Sequence, residues 1–195
     1  MNLRKPLIVG IGGTTRPGSS SECALQFALR VVEAGGGETR LLGGDFLAHL
    51  PIFNPANADQ TEEQKLLAHT VRGADGVIVA SPGYHGSISG VIKNALDTLE
   101  VLRTDERPYL TDRAVGCIIT ADGWQAAGTT LTTLRSIIHA LRGWPTPFGA
   151  ALNATAGLFN DEGTCRDPKD AWQLATVAEQ VMDFATMRAR TKAST

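Results

Sequence analysis

Residues 7–21 read LIVGIGGTTRPGSSS, a short apolar run followed directly by a loop of glycines and hydroxyl side chains. Leu7 to Ile11 form a continuous apolar stretch, which is typical of a strand buried on both faces of a parallel sheet. The apolar positions of residues 19–34 then favour a helix, which Gly35 to Gly37 end. A buried strand, a glycine-bearing turn and an amphipathic helix are the repeating unit of doubly wound α/β sheets.

The same alternation continues along the rest of the chain. Further strands are predicted at residues 38–42, 75–81, 114–120 and 148–152, and further helices at residues 61 onward, 88–99, 131–141 and 174–185. Thr61 is a candidate N-cap, with Gln64 as its capping-box partner. Five strands alternating with five helices predict a doubly wound, five-stranded parallel sheet of the α/β class. We expect one domain over residues 1–187 and a polar, frayed tail over residues 188–195.

The composition argues against several classes of function. Eighteen basic and twenty acidic residues give a net charge of −2, so the chain lacks the basic surface that nucleic-acid binding needs. Its apolar runs are far shorter than the roughly 20 residues that span a bilayer, and no secretory signal is expected. Three widely spaced cysteines suit a reducing compartment, so we expect a cytoplasmic protein. The histidines have no ligand spacing, which argues against a metal site.

Ligands of doubly wound sheets bind beyond the carboxyl ends of the strands, so the loops after residues 11, 81, 120 and 152 are the candidate site. Residues 12–21 offer glycines, several hydroxyls, an arginine and a helix N-terminus, which together indicate a phosphate site. An ordinary turn with a serine N-cap is the alternative. The loop lacks the lysine of a P-loop and the third glycine of the dinucleotide fingerprint. A monophosphate, such as that of flavin mononucleotide (FMN), therefore fits it better.

Residues 81–97 read SPGYHGSISGVIKNALD. This stretch closely resembles the S-P-E-Y-N-G-S-I-P-G-x-L-K-N-A-L-D signature of the NADPH-dependent FMN reductases, a flavodoxin-like family. Residues 13–21 resemble the G-S-x-R-x-G-S-x-N loop of the same family. The resemblance implies a flavodoxin-like, three-layer α/β/α fold and hydride transfer from NADPH or NADH to FMN. It also implies a homodimer or homotetramer with the flavin near an interface. Such chemistry requires no catalytic acid or base from the protein.

The resemblance also assigns residues to the flavin. Around its phosphate it places Thr14, Arg16, Ser19 and Ser21; along the isoalloxazine and ribityl groups it places Pro82, Gly83, Tyr84, His85 and Gly86; near the ring it places Asp122 and Gly123. Gly83 stands where the family commonly has glutamate, and His85 where it commonly has asparagine. A structural role for His85 in a turn is the alternative to a ligand contact.

Some features keep more than one interpretation. Three roles are open for Trp124: it stacks on a ring, covers the nicotinamide pocket or packs at a subunit contact. Two are open for the pair Lys93 and Asp97, which is either a solvated ion pair or an intersubunit contact. The electron acceptor is a flavin-dependent monooxygenase, a quinone, an azo dye or a metal oxyanion. Two other classes of function remain: a flavodoxin-like electron carrier, which is usually markedly acidic, and a flavin-free binding domain.

Overall fold

The computed structural model describes residues 4–57 and 59–193. Its strands are β1 (Leu7–Gly12), β2 (Glu38–Leu42), β3 (Gly76–Tyr84), β4 (Ser87–Ile88), β5 (Ala114–Ala121), β6 (Trp144–Pro145) and β7 (Ala150–Asn153). Its α-helices are α1 (Ser20–Ala34), α2 (Gly44–His49), α3 (Glu62–Gly73), α4 (Gly90–Thr98), α5 (Trp124–Ala140) and α6 (Pro168–Ala193), and a 3₁₀ turn covers Leu99–Leu102. Strands and helices alternate, as the sequence predicts.

The strands form one twisted sheet in the order β2-β1-β3-β5-β6, and β7 also pairs with β5. Because β3 occupies one side of β5, the short strands β6 and β7 lie end to end along its other side. These neighbours all pair in parallel, whereas β4 turns back antiparallel onto the end of β3. The predicted doubly wound sheet of five parallel positions is confirmed, and the β4 hairpin adds to it.

Each central strand sends alternate side chains to opposite faces of the sheet. In β3, Val77 and Val79 join the core under α3, α4 and α5, while Ile78 joins the core under α1 and α6. All three of these side chains are 0% exposed to solvent. Burial on both faces explains why the strands read as continuous apolar runs rather than as alternating patterns.

Local signals locate several elements well. Strand β2 has the predicted bounds, and Thr61 and Gln64 form both hydrogen bonds of the predicted capping box at the start of α3. The prediction that the strand at residues 75–81 ends before Pro82 is wrong, because β3 continues to Tyr84 and there pairs with β4. Helix α6 extends to Ala193, so the segment from Arg188 to Ala193 is helical rather than frayed. Over residues 4–57 and 59–193, every helix is too short or too polar to cross a membrane.

Candidate functional site

A cavity of about 350 Å³ opens at the carboxyl ends of β1, β3, β5 and β7. Its wall consists of Thr14, Arg16, Ser19, Ser20, Ser21, Pro82, Gly83, Tyr84, His85, Thr120, Ala121, Asp122, Ala126 and Ala154. Its volume is within the range of small-molecule and cofactor sites. The cavity lies at the edge of the sheet where doubly wound folds bind their ligands.

The structure brings the sequence-derived site residues together, with two exceptions. All of them line this one cavity except Gly86 and Gly123, which lie just behind its rim. Residues that the sequence did not single out also line it: Ser20, Thr120, Ala121, Ala126 and Ala154. Ser20 and Ala121 are immediate neighbours of predicted residues and Thr120 is two residues from Asp122, whereas Ala126 reaches the wall only through the packing of α5.

One end of the cavity is built by the N-terminus of α1. Ser19 is the N-cap, its hydroxyl oxygen accepts from the Glu22 amide at 3.4 Å, and it lies 3.3 Å from the Ser21 hydroxyl oxygen. Ser19 and Ser21 are both buried. The amides of the first helical turn have no partner inside the helix and point out of its end. Hydroxyl and amide donors therefore converge where a helix end favours an anion.

Arg16 adds a positive charge to this end of the cavity. The turn that carries it is held by Thr14, whose hydroxyl oxygen accepts from the Arg16 amide at 3.0 Å. The Arg16 side chain is exposed, and within the described part of the chain its guanidinium has neither a hydrogen bond nor an ion pair. No carboxylate side chain belongs to this part of the wall. A free guanidinium beside buried hydroxyls and a helix N-terminus suits a phosphate group.

Another part of the cavity wall is a β-hairpin. Gly83 pairs with Ile88 and Tyr84 with Ser87, so the turn between them has only two residues. These are His85, with φ 52°, and Gly86, with φ 81°. Positive φ at both positions is what a type I′ turn requires, and histidine is among the non-glycine residues that tolerate it. The hairpin explains why His85 lines the cavity and Gly86 does not.

A buried serine anchors this hairpin to the sheet. The Ser81 hydroxyl donates to the Pro82 carbonyl at 2.8 Å and accepts from the Ser89 amide at 3.0 Å. Ser89 in turn caps α4, its hydroxyl oxygen accepting from the Ile92 amide. Ser81 and Ser89 therefore hold the hairpin in position.

Gly83 lies where the cavity wall meets helix α5. A Cβ atom at this position would come within 2.9 Å of both the Ala121 Cβ and the Thr130 hydroxyl oxygen. The Thr130 hydroxyl is buried and has no hydrogen-bond partner in the described structure. The chain therefore has no room at position 83 for the glutamate that the sequence resemblance would place there, so this position contributes no charge to the wall.

The third side of the cavity is fixed by an asparagine. The Asn153 side-chain oxygen accepts from the Gly123 amide at 3.0 Å and from the Thr155 hydroxyl at 2.6 Å. This links the loop after β5 to the loop after β7. Asp122 and Ala154, on either side of the link, both line the cavity. No pattern in the sequence singles out Asn153 as a functional residue.

Other reactive side chains lie away from the cavity. Cys117 is buried in the sheet, and burial raises the pKa of its thiol to about 12, so it stays neutral. Lys93 and Asp97 form a half-exposed ion pair with an N–O distance of 2.7 Å on α4. Among residues 4–57 and 59–193, no three His, Cys, Asp or Glu side chains are grouped to hold a metal ion.

Comparison with known proteins places this geometry in context. The sequence profile of the NADPH-dependent FMN reductases matches residues 6–156. An FMN-dependent NADPH-azoreductase of Staphylococcus saprophyticus is 30% identical over 139 residues, which cover 69% of this chain and 70% of the relative. The corresponding protein of Staphylococcus haemolyticus is 31% identical over 116 residues, and the match spans only 58% of its length.

A solved structure shows the same fold. FerB, a flavoenzyme NAD(P)H:(acceptor) oxidoreductase from Paracoccus denitrificans, superposes with a TM-score of 0.77 over 93% of this chain and 98% of its own. The sequence identity is 22%, so this similarity concerns the architecture.

Proposed function

The chain belongs to the NADPH-dependent FMN reductase family, and from this we propose that it binds FMN in the cavity at the carboxyl edge of its sheet and reduces it with NADPH or NADH. One observation carries the proposal: a free Arg16 guanidinium lines the same cavity as the hydroxyls and amides of the α1 N-terminus. That donor set fits the phosphate monoester of FMN.

The remaining wall fits the flat part of the same molecule. Pro82, Gly83 and Ala121 present small or rigid surfaces, and the tight approach of α5 keeps them in place. Tyr84 and His85 border the opening and are exposed, so the cavity stays accessible to a second ligand. Asp122 and Gly123 stand at the far side, held by Asn153.

Bound FMN supplies a ring that accepts a hydride from a reduced nicotinamide nucleotide and passes electrons on. The protein binds and orients the reactants. Arg16 and the serines hold the phosphate end, and the β3–β4 hairpin and the loop after β5 confine the other end. Among residues 4–57 and 59–193, the only titratable side chains on the wall besides Arg16 and Tyr84 are His85 and Asp122, both exposed. No proton relay across the cavity is therefore part of the proposal.

The proposal also covers the electron acceptor, the cellular location and the oligomeric state. The electrons go to a small aromatic acceptor such as an azo dye or a quinone, or reduced FMN goes to a monooxygenase; the azoreductase names of two relatives support the azo compound. The protein works in the cytoplasm, which its three unpaired cysteines suit. It assembles as a homodimer or homotetramer, which light scattering of the purified protein tests.

One set of measurements tests the central proposal. Purified protein is scanned for flavin absorbance, titrated with FMN and assayed for oxidation of NADPH and NADH. We expect FMN binding and FMN-dependent oxidation of at least one nucleotide. Protein that binds FMN but oxidises neither nucleotide would be an electron carrier instead. Protein that does neither would be a flavin-free binding domain, and the proposal would be wrong.

The Arg16→Ala variant tests the phosphate end. Loss of a charge-assisted hydrogen bond of roughly 1.5–3 kcal/mol should weaken FMN binding about 10- to 100-fold. Riboflavin, which lacks the phosphate, should bind almost as it does to the unmodified protein. Arg40→Ala is the matched control, because Arg40 is exposed on β2 and does not line the cavity. Equal losses for FMN and riboflavin would remove Arg16 from the phosphate site.

A further inference from the structure

A second cavity, of about 480 Å³, lies next to the first. Its polar and aromatic wall comes from Trp124, Asn153, Thr155, Arg166, Asp167 and Asp170. Asp122 and Ala154 line the first cavity, while Trp124 and Thr155, one or two residues further along, line the second. Each residue spans at most about 3.6 Å, so residues one or two apart in the chain are close in space. The two cavities are therefore neighbours, and the hydrogen-bonded pair Gly123 and Asn153 lies between them.

The indole of Trp124 is the main apolar surface of this second cavity. Trp144 packs on Phe184 and Trp172 on Phe148, with ring centroids 5.1 Å and 5.2 Å apart. Trp124 has no such ring contact in the described structure and is 63% exposed. A large, uncovered indole at the border of a ligand cavity offers a stacking surface for another planar ring.

The polar groups that line the same cavity as the indole select the kind of ring. The Arg166 Nε donates to the Phe159 carbonyl at 2.9 Å, which fixes the guanidinium and leaves its outer nitrogens without partners in the described structure. Asp167 and Asp170, three residues apart at the start of α6, both line the cavity. Carboxylates that face a cavity accept hydrogen bonds from sugar hydroxyls, as the acidic residue of dinucleotide-binding folds does for a ribose.

We propose that the second cavity binds the adenosine half of the reduced nicotinamide nucleotide, with the adenine on Trp124 and the ribose hydroxyls at Asp167 or Asp170. The inference rests on the proposed function, since the nicotinamide end of the same molecule must reach the first cavity. Asp167 accepts from the Lys169 amide at 2.8 Å and Asp170 from the Gln173 side-chain amide at 3.2 Å, each through Oδ1. The aromatic ring of an electron acceptor would use the indole but would leave the second oxygen of both carboxylates without a partner. A nucleoside uses both the indole, through its base, and the carboxylates, through its ribose hydroxyls.

The charge of this cavity also sets the nucleotide preference. One arginine and two aspartates line it, so the 2′-phosphate that distinguishes NADPH from NADH would meet a net negative charge. Phosphate binding to a ribose usually relies on an arginine without a competing carboxylate. The chain should therefore bind the NADH form at least as tightly as the NADPH form.

Two adenosine probes test the inference without any flavin reaction. The FMN-loaded and FMN-free proteins are titrated with 5′-AMP and with adenosine 2′,5′-bisphosphate, and tryptophan fluorescence is followed. We expect 5′-AMP to quench the fluorescence, and Trp124→Leu to abolish the quenching and weaken binding about tenfold, the scale of a lost base–aromatic stack. Trp144→Leu is the matched control, since Trp144 is similarly exposed but lies at the other end of the sheet.

The aspartates provide a second test that needs no change to the indole. Asp167→Asn and Asp170→Asn should raise the affinity for the 2′,5′-bisphosphate relative to 5′-AMP, by severalfold. Both positions are on the surface, so the variants should fold, which circular dichroism checks. A bisphosphate that binds more tightly than 5′-AMP, with no response to either substitution, would overturn the assigned preference.

The outcomes separate this inference from the proposed function. If the protein oxidises NADPH or NADH with FMN but Trp124→Leu leaves 5′-AMP binding and the nucleotide KM unchanged, the adenosine site is wrong and the reductase stands. If 5′-AMP quenches Trp124 but neither nucleotide is oxidised, the adenosine site stands and the reductase is wrong. A change of the acceptor KM alone in Trp124→Leu would assign the cavity to the acceptor and overturn the inference.

Discussion

At the scale of single residues, the packing around Gly83 leaves no room for a side chain. Its missing side chain lets β3 approach α5, with Ala121 and Thr130 directly opposite. We expect Gly83→Ala to destabilise the protein by about 1–3 kcal/mol, because an added methyl group overpacks this contact. FMN affinity should fall as well, since Gly83 lines the cavity. Urea unfolding and FMN titration measure the two effects.

Gly90→Ala is the control for this prediction. A Cβ atom at Gly90 meets nothing within 4 Å, and the residue begins helix α4. Alanine is the better helix former, so this variant should be neutral or slightly more stable. Equal destabilisation by both substitutions would show that the contact with α5 does not determine the cost at position 83.

Asp170 gives a pH-dependent prediction at the same scale. Burial, followed by the charge of Asp167, raises its pKa, although its place in the first turn of α6 favours the charged form. A raised pKa means that the folded chain binds the proton more tightly than the unfolded chain does. Stability therefore falls as the pH rises from the ordinary aspartate pKa of about 3.9 through the raised value.

Asp170→Asn removes this titration. The variant should be more stable than the unmodified protein at pH 7, by about a few tenths of a kcal/mol at this partly buried position, and should lose that advantage near pH 4. Thermal unfolding at the two pH values measures the difference. Asp161→Asn, in the exposed loop before α6, is the control. An advantage that is the same at both pH values would contradict the role of the charge.

At the scale of elements, the cavity depends on a link between two loops that follow different strands. The Asn153 side-chain oxygen joins the loop after β7 to the Gly123 amide of the loop after β5. Asn153→Ala should destabilise the fold by about 1 kcal/mol, the usual contribution of a hydrogen bond. It should also weaken FMN binding severalfold and speed hydrogen exchange of the Gly123 amide, which NMR or mass spectrometry measures.

Asn160→Ala is the matched control for Asn153→Ala. The Asn153 side chain accepts the backbone amides of Gly123 and Thr155. The Asn160 side chain likewise accepts two backbone amides, from Glu162 and Thr164, but within a single turn that does not border the first cavity. It should lower stability without changing FMN affinity. If both variants lose FMN affinity equally, the link between the loops is not what shapes the site.

The elements also show where sequence patterns succeed and fail. The capping box at Thr61 and the bounds of β2 follow from neighbouring residues, so the sequence predicts them. The hairpin of β3 and β4 was missed because a two-residue strand has no periodicity and its turn contains His85 where asparagine is the usual signal. The early start of α5 at Trp124 was missed because Gly123 and Gly128 in that segment suggest a loop.

The candidate site likewise contains residues that the sequence predicts and residues that only the packed fold brings to the wall. Residues in the loops after β1 and β3 were found because glycines and hydroxyls after a buried strand have a direct physical meaning. Ala126 and Ala154 carry no chemical signal, and they reach the wall only through the packing of α5 and the order of the strands. The structural role of Asn153 depends on a partner 30 residues away, which no local pattern contains.

At the scale of the whole molecule, stability and binding lie at opposite ends of the sheet. Arg113, just before β5, is 1% exposed, and its guanidinium donates to the carbonyls of Ala74, Arg72, Tyr109 and Thr111. Burial lowers the pKa of this arginine to about 10, so it remains charged at neutral pH. It ties the end of α3 to the loop that precedes β5.

Arg113→Met should therefore lower stability without affecting the site. Several buried carbonyls would lose their donor, which should cost about 3 kcal/mol and, at about 2–4 °C per kcal/mol, lower the melting temperature by about 6–12 °C. The FMN affinity of the folded fraction should not change, because the cavity lies at the carboxyl ends of the strands. A parallel loss of FMN affinity would show that the two ends are coupled. Arg142→Met, at an exposed arginine nearby, is the control.

The edges of the sheet have a consequence for the behaviour of the protein at high concentration. One edge is β2, five residues long, with Glu38 and Arg40 exposed on it, and the other is divided between the short strands β6 and β7. Unpaired strand edges recruit other chains into intermolecular sheets, and shortness and charge both oppose this. The fold therefore offers no long apolar edge among its described strands, which protects the native protein against aggregation by strand addition.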